Sequence, residues 1–251
     1  MSLFDSPAFN ERLFFPRGDV TPPPEGADDD FVEVGGASLH VRYHGVSPER
    51  RTLLLFHGNG EVVADYDDAA GLFAAAGFGL AVVDYRGYGQ STGTPTLRTA
   101  IADAHVILGA VHAVAAQPIV VMGRSLGSAC AADLYAKNLP IVEGVVIESG
   151  LADLAGLVRR RGMEPPAQFS DEDRAAFDPL GKLARGTGPL LVIHGERDTM
   201  IAPSEAEAAF AAAGTKQKKL VIVPNRGHND VSGSRTYWDA LAAFGASLPR
   251  A

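Results

Sequence analysis

Short apolar runs separated by helical stretches recur from residue 52 onward, and each run stops at a polar residue. Residues 52–56 end at His57, 79–85 enclose Asp84, 118–122 lead to Ser125, 142–147 end at Glu148, 189–194 precede Asp198, and 219–223 precede His228. Unbroken apolar runs of this length read as strands buried on both faces. The stretches between them, near 66–76, 97–116, 126–137 and 204–213, read as helices, with 236–247 as the last. Strands alternating with helices imply a mostly parallel sheet of about eight strands with helices on both faces. Such sheets bind ligands beyond the carboxyl ends of their strands. The polar residues at those ends therefore fall along one edge and can share one site.

The sharpest local signal lies at residues 118–129. An apolar run leads into Gly123-Arg124-Ser125-Leu126-Gly127, and a helical run follows. Gly-x-Ser-x-Gly between a strand and a helix is a nucleophile elbow, a turn too tight for side chains two residues either side of the serine. It sets the hydroxyl at the strand end beside the positive end of the next helix. A serine hydroxyl needs a base, usually histidine, and the histidine needs a carboxylate to fix its tautomer. Ser125, Asp198 and His228 supply nucleophile, acid and base in the chain order expected of an elbow-type hydrolase, each after a strand. Glu148 is the rival acid, with Asp153 and Asp230 near other loops.

Those residues carry a resemblance. Leu55-Phe56-His57-Gly58-Asn59-Gly60, the run from Asp84 to Ser91, Gly123–Gly127, His194-Gly195-Glu196-Arg197-Asp198 and Gly227-His228 resemble the α/β-hydrolase superfamily. Within it the chain is similar to the BEM46-like branch, which includes the α/β-hydrolase-domain proteins 13 and 17 of mammals. The resemblance implies an α/β-hydrolase fold with a small helical lid at 151–188, and the triad Ser125, Asp198 and His228. It implies an oxyanion hole made by the main-chain N–H of Leu126 and one from the loop 57–60, with Asn59 preferred to Gly60. It gives His57 and His194 structural parts and makes the loop from Asp84 a fold-stabilising one. Arg124 is either a loop clamp or a contact to an anionic substrate.

The expected activity is hydrolysis of carboxylic esters or thioesters through an acyl-enzyme on Ser125, acting on a small-molecule acyl substrate with no metal and no cofactor. An amidase or peptidase, a depalmitoylase, or a non-catalytic binding protein of the same fold are the alternatives. His105 and His112, seven apart on one helix, lack a third ligand for a metal.

Composition narrows the class further. The 251 residues suit one domain, and a net charge of −8 with no basic stripe argues against a nucleic-acid partner. The apolar stretch 100–116 contains Asp103, His105 and His112, so it reads as a buried helix and no integral membrane segment is expected. The opening residues lack the basic and apolar regions of a secretory signal, and the single Cys130 allows no internal disulfide, so a cytoplasmic setting is expected. Residues 1–30 read as an arm and a Pro-rich acidic linker, and 31–251 as the hydrolase domain. The arm's phenylalanines are expected to pack on the domain body, with a membrane or subunit contact as the other reading. Residues 31–34 and 38–43 read as a hairpin turned by Gly35-Gly36. Arg159-Arg160-Arg161 reads as a solvated helix face, or as a device for recognising acidic substrate groups. Oligomeric state is left open.

Overall fold

Alternating side chains on a central strand decide how the chain layers itself. In the strand Arg51–Phe56, Leu54 and Phe56 enter one core while Leu53 and Leu55 enter the other. A computed structural model of the chain describes residues 2–249, so the first residue of the arm and the last two of the domain lie outside the described residues. In chain order the elements are α1 (Pro7–Leu13), β1 (Ala27–Val34), β2 (Ala37–His44), β3 (Arg51–Phe56), α2 (Ala70–Ala75), β4 (Phe78–Val83), α3 (Leu97–Ala115), β5 (Ile119–Arg124), α4 (Ser128–Ala136), β6 (Val142–Glu148), α5 (Leu154–Arg160), α6 (Asp171–Ala176), α7 (Pro179–Arg185), β7 (Leu190–Gly195), α8 (Pro203–Ala212), β8 (Lys218–Val223) and α9 (Arg235–Ser247).

The strands form one sheet in the order β1-β2-β4-β3-β5-β6-β7-β8. Pairing is antiparallel from β1 to β4 and parallel from there to β8. This is the α/β-hydrolase architecture. One core holds the inward faces of α3, α4, α7 and α8 with the arm and lid, and the other holds α2 and α9. Among the described residues α3 alone is long and apolar enough to cross a membrane, with mean hydropathy 1.3. Here its Ala104, Ile107, Leu108 and Val111 are packed in the first core, and its Asp103 binds Arg86.

Two local expectations change. The acidic run Asp28-Asp29-Asp30, read as linker, belongs to the edge strand β1, which pairs from Ala27 to Val34 around a Gly35-Gly36 turn with φ of 52° and 77°. Strand formation is favoured because Asp29 points inward and accepts from Arg42 Nε at 2.7 Å and Nη2 at 2.9 Å, while Arg42 is wholly buried. A charged edge strand also resists pairing with other chains. The helix expected over 66–76 is cut to α2, with a 3₁₀ turn at Val63–Tyr66 before it, and Asp67 between them turns its carboxylate to Arg42 at 2.8 Å.

The arm packs on the body except at Phe15, whose ring stays exposed. Phe4, Phe9, Leu13 and Phe14 are all buried. Phe4 stacks on Phe169 (centroids 5.8 Å apart) and meets Phe177 edge-on at 5.6 Å, so the arm is zipped to the lid by aromatic rings.

Candidate active site

β5 delivers Ser125 to the carboxyl edge of the sheet through a turn that leaves no space. A Cβ on Gly123 would strike the Gly127 carbonyl, and one on Gly127 would strike the Phe56 carbonyl. Ser125 itself is held at φ of +51°, a left-handed conformation that side chains rarely adopt and that functional turns retain. Ser125 is half-buried and so is not sealed from solvent. Ser128, one turn on, donates to the Ser125 carbonyl at 2.6 Å and accepts from Leu151 N–H at 3.0 Å, which fastens the elbow to the start of the lid.

The structure brings the three residues expected from the sequence together. Ser125 Oγ lies 3.0 Å from His228 Nε2, and His228 Nδ1 lies 2.7 Å from Asp198 Oδ2. With Asp198 ionised, Nδ1–H donates to the carboxylate and Nε2 is free to accept from the serine hydroxyl. Asp198 is held ionised: burial pushes its pKa up, but hydrogen bonds from His194, His228 and the Ile201 N–H outweigh burial and hold it far below the usual carboxylate range. Its Oδ1 accepts from the main-chain N–H of Met200 at 2.9 Å and Ile201 at 2.8 Å. The β8 loop approaches closely here, since a Cβ on Gly195 would meet the carbonyls of Arg226 and Gly227.

Glu148, the rival acid, is engaged elsewhere. Arg124 Nε sits 3.2 Å from its Oε1, and Tyr237 donates to its Oε2 at 2.8 Å. Arg124 also binds Glu61, the His228 carbonyl at 3.2 Å and the Asn229 side chain at 3.0 Å. Burial opposes its charge, but Glu148 and Glu61 outweigh that and keep the guanidinium protonated. Arg124 therefore clamps the histidine loop to the loop after β3. The clamp explains Gly58, where a Cβ would collide with the Arg124 guanidinium and the Glu61 carboxylate.

His57 is fully buried, with Nε2 3.3 Å from Asp84 Oδ1 and its carbonyl accepting from Tyr85 at 2.8 Å. Asp84 in turn faces His40 Nδ1 at 3.2 Å and accepts from Val63 N–H at 3.0 Å. In the same loop the Asn59 side chain donates to the Leu13 carbonyl and accepts from Phe15 N–H at 2.9 Å and from the Tyr88 hydroxyl at 2.6 Å. The arm is thus anchored on the loop expected to stabilise an oxyanion. Leu126 is buried at the base of α4, next to Ser125.

Sequence reasoning gave His194 a structural part without its partner, and missed the ties made by Glu205 and Asp173. His194 shares Asp198 with His228, at 3.1 Å. Glu205 on α8 accepts from Ala152 and Asp153 N–H, both at 2.8 Å, and from Arg160 at 2.7 Å, so it pins the lid root. Asp173 on α6 accepts from Ser2 and Leu3 of the arm at 2.9 and 2.7 Å. Glu205 and Asp173 hold partners 45 to 171 positions away, and no sequence pattern connects residues so far apart. His105 binds Asp133 and His112 binds the Gln117 carbonyl, and no cluster of three or more His, Cys, Asp or Glu placed for a metal occurs among the described residues. Two clefts of about 530 Å³ lie elsewhere, one between β7, β8 and α9 at the strand starts and one between the lid and α8, and neither is lined by Ser125 or His228.

Comparison with known proteins agrees with this fold. The family Hydrolase_4, described as serine aminopeptidase, S33, matches residues 47–170. Protein bem46 of Schizosaccharomyces pombe is 30% identical over 206 residues, covering 79% of this chain and 68% of that one. Alpha/beta hydrolase domain-containing protein 17B of Homo sapiens is 30% identical over 210 residues, covering 79% and 67%. Among solved structures, an esterase of Pyrococcus furiosus superposes with a TM-score of 0.74 at 17% identity, covering 94% of this chain and 99% of its own, a likeness of fold.

Proposed function

The chain belongs to the α/β-hydrolase family, in the branch of protein bem46, and from that membership we propose that it is a serine hydrolase cleaving carboxylic esters or thioesters through an acyl-enzyme on Ser125. The observation that carries this reading is the continuous relay from Ser125 Oγ through His228 to Asp198, at 3.0 and 2.7 Å.

In the proposed reaction, Ser125 Oγ attacks the acyl carbonyl as His228 Nε2 takes its proton. Asp198 steadies the imidazolium without itself taking a proton. The developing oxyanion is met by main-chain N–H groups of Leu126 and Asn59. Within the loop 57–60, Gly58 N–H is engaged by Glu61 at 2.6 Å, which leaves Asn59 and Gly60 as donors, with Asn59 preferred. His228 then protonates the leaving alcohol or thiol. A water deprotonated by the same imidazole releases the acid and restores Ser125.

The likeness to serine aminopeptidases makes amide cleavage the second reading. An aminopeptidase needs a carboxylate free to meet the substrate's ammonium group. Glu61 and Glu148, close to the elbow through Arg124, are committed to Arg124, Tyr66 and Tyr237. That arrangement favours esters. The test is labelling with a fluorophosphonate probe, followed by turnover of p-nitrophenyl esters of rising chain length beside aminoacyl p-nitroanilides. Labelling that disappears in Ser125→Ala, with ester turnover down by roughly ten-thousand-fold or more, is the expected result. A native protein that takes no probe is a binding protein of this fold, and preference for the anilides moves it to the peptidases.

A further inference from the structure

Three arginines in a row close α5, and they are treated differently. Arg159 is exposed, with Asp153 at 3.7 Å. Arg160 is paired with Glu205 at 2.7 Å. Arg161 has no carboxylate at ion-pair distance among the described residues, and its Nε is hidden from solvent with no hydrogen-bond acceptor. Burial and the neighbouring Arg160 push its pKa below the ordinary arginine value. A cation drawn partly out of water with no counter-charge is unfavourable.

The position of Arg161 matters as much as its lack of a partner. Its guanidinium carbon lies 5.5 Å from the centre of the Phe15 ring. Phe15 N–H is bonded to Asn59 Oδ1 and, at 2.8 Å, to the Tyr88 hydroxyl. Arg161 thus stands at the seam of lid and arm, beside the loop expected to form the oxyanion hole. Stacking on an exposed ring contributes only about 0.5–1 kcal/mol, and it supplies no counter-charge to a partly desolvated guanidinium. The half-buried charge is placed for an anion that arrives from outside.

We propose that Arg161 recognises an anionic group, a carboxylate or a phosphate, carried by the ester or thioester whose carbonyl reacts at Ser125. The proposal rests on the acyl-transfer reading above and adds a substrate class to it. Arg161 is a specificity residue and takes no part in bond making. Its planar fork suits either oxyanion, so the two sources must be separated by substrate.

Two matched pairs do this. p-Nitrophenyl hemiglutarate against p-nitrophenyl valerate places a carboxylate on the acyl side. S-Butyryl phosphopantetheine against S-butyryl pantetheine places a phosphate on the leaving side. The native enzyme is expected to favour the charged member of one pair by about 10- to 150-fold in kcat/KM, the range for a hydrogen bond to a charged group. In Arg161→Gln that ratio should fall to within about threefold of unity, Arg161→Lys should keep part of it, and added salt should erode it. Whichever pair shows the effect names the anion. Turnover of the neutral members with no charged preference in either pair, or a preference that survives in Arg161→Gln, overturns the proposal and leaves the acyl-transfer reading standing. If no ester is turned over, that reading fails separately. Binding of the intact hemiglutarate and the phosphopantetheine thioester to Ser125→Ala, with and without Arg161→Gln, then decides: at least tenfold weaker binding of one of them supports the anion site, and equal binding of both refutes it.

Discussion

The loops at the strand ends and the arm-and-lid clasp above them are built by different means. At the strand ends, charge meets charge or main chain. Asp198 is held by His228, His194 and two N–H groups, and Arg124 by two carboxylates, a carbonyl and an amide. Register between parallel strands sets where each of these groups stands. The clasp is held by rings, Phe4 against Phe9, Phe169 and Phe177, and by the carboxylate of Asp173 that joins arm to lid. Arg161, with no carboxylate at ion-pair distance among the described residues, sits against the ring of Phe15, whose N–H is bonded to Asn59 of the loop that anchors the arm. Electrostatics held by a rigid scaffold serve the chemical step. A surface packed by aromatic rings can vary without disturbing that step. Damage at the strand ends should therefore appear in kcat, and damage to the clasp in stability, in KM and in selectivity.

After Ser125→Ala, the largest effect should come from Asp198→Asn. Losing the carboxylate frees the wrong imidazole tautomer, and kcat on p-nitrophenyl esters should fall about 10³- to 10⁴-fold while circular dichroism stays native. Glu148→Gln should cost far less, because Glu148 is bound to Arg124 and Tyr237 while the imidazole of His228 is bound to Asp198. If the two variants exchange these outcomes, Glu148 is the acid and the division between relay and clamp is drawn in the wrong place.

Arg124→Met tests the clamp. It strands Glu148 and Glu61 in a buried setting, a change that typically costs about 3–5 kcal/mol. It also releases the histidine loop from the loop after β3, and misplacement of about 1 Å can cost roughly a hundredfold in kcat. Chemical denaturation and steady-state kinetics read the two losses separately. Unchanged kcat with lowered stability would make Arg124 a fold residue only.

What the sequence made legible follows the same division. Ser125, Asp198 and His228 could be picked out because each chemistry-bearing side chain follows its own strand, and a parallel sheet lines up strand ends. Gly123 and Gly127 were readable because the turn's sterics act over four residues. The clasp was not readable in this way. Asp173 binds Ser2 across 171 positions, and Asn59 reaches Leu13 across 46, with no periodicity to signal either. The acidic run at 28–30 misled because its composition is that of a linker, while Asp29 is claimed by Arg42 across the strand pair. Pairing between distant residues outweighed local propensity there.

Phe4→Ala probes the clasp away from Asn59. Removing a buried ring that touches Phe9, Phe169 and Phe177 should cost about 3–5 kcal/mol. Limited proteolysis should then cut the lid between α5 and α6 sooner than in the native chain, while kcat on a short ester changes by less than a few-fold. A fall in kcat comparable to that of Asp198→Asn would mean that the clasp and the strand ends form a single unit.

The smallest effect marks where the lid ends and the scaffold resumes. Asp133 on α4 lies 2.7 Å from His105 of α3 and 2.7 Å from Lys182 of α7. Burial pushes its pKa up, but the hydrogen bonds and charges of His105 and Lys182 outweigh it and hold the carboxyl at about 2. The folded value lies below the unfolded one, so the stabilisation is complete above the unfolded pKa near 3.9 and is lost as pH falls through that value toward 2. The shift corresponds to about 2 kcal/mol. Asp133→Asn should remove that increment at neutral pH and flatten the native stability curve between pH 4 and 2, measured by urea titration at each pH. Proteolysis of the lid should not change, because α7 is packed on α4 and α8 and stands with the scaffold. Faster lid cleavage in Asp133→Asn would instead place α7 with the clasp, and the boundary between the two regions would move to β7.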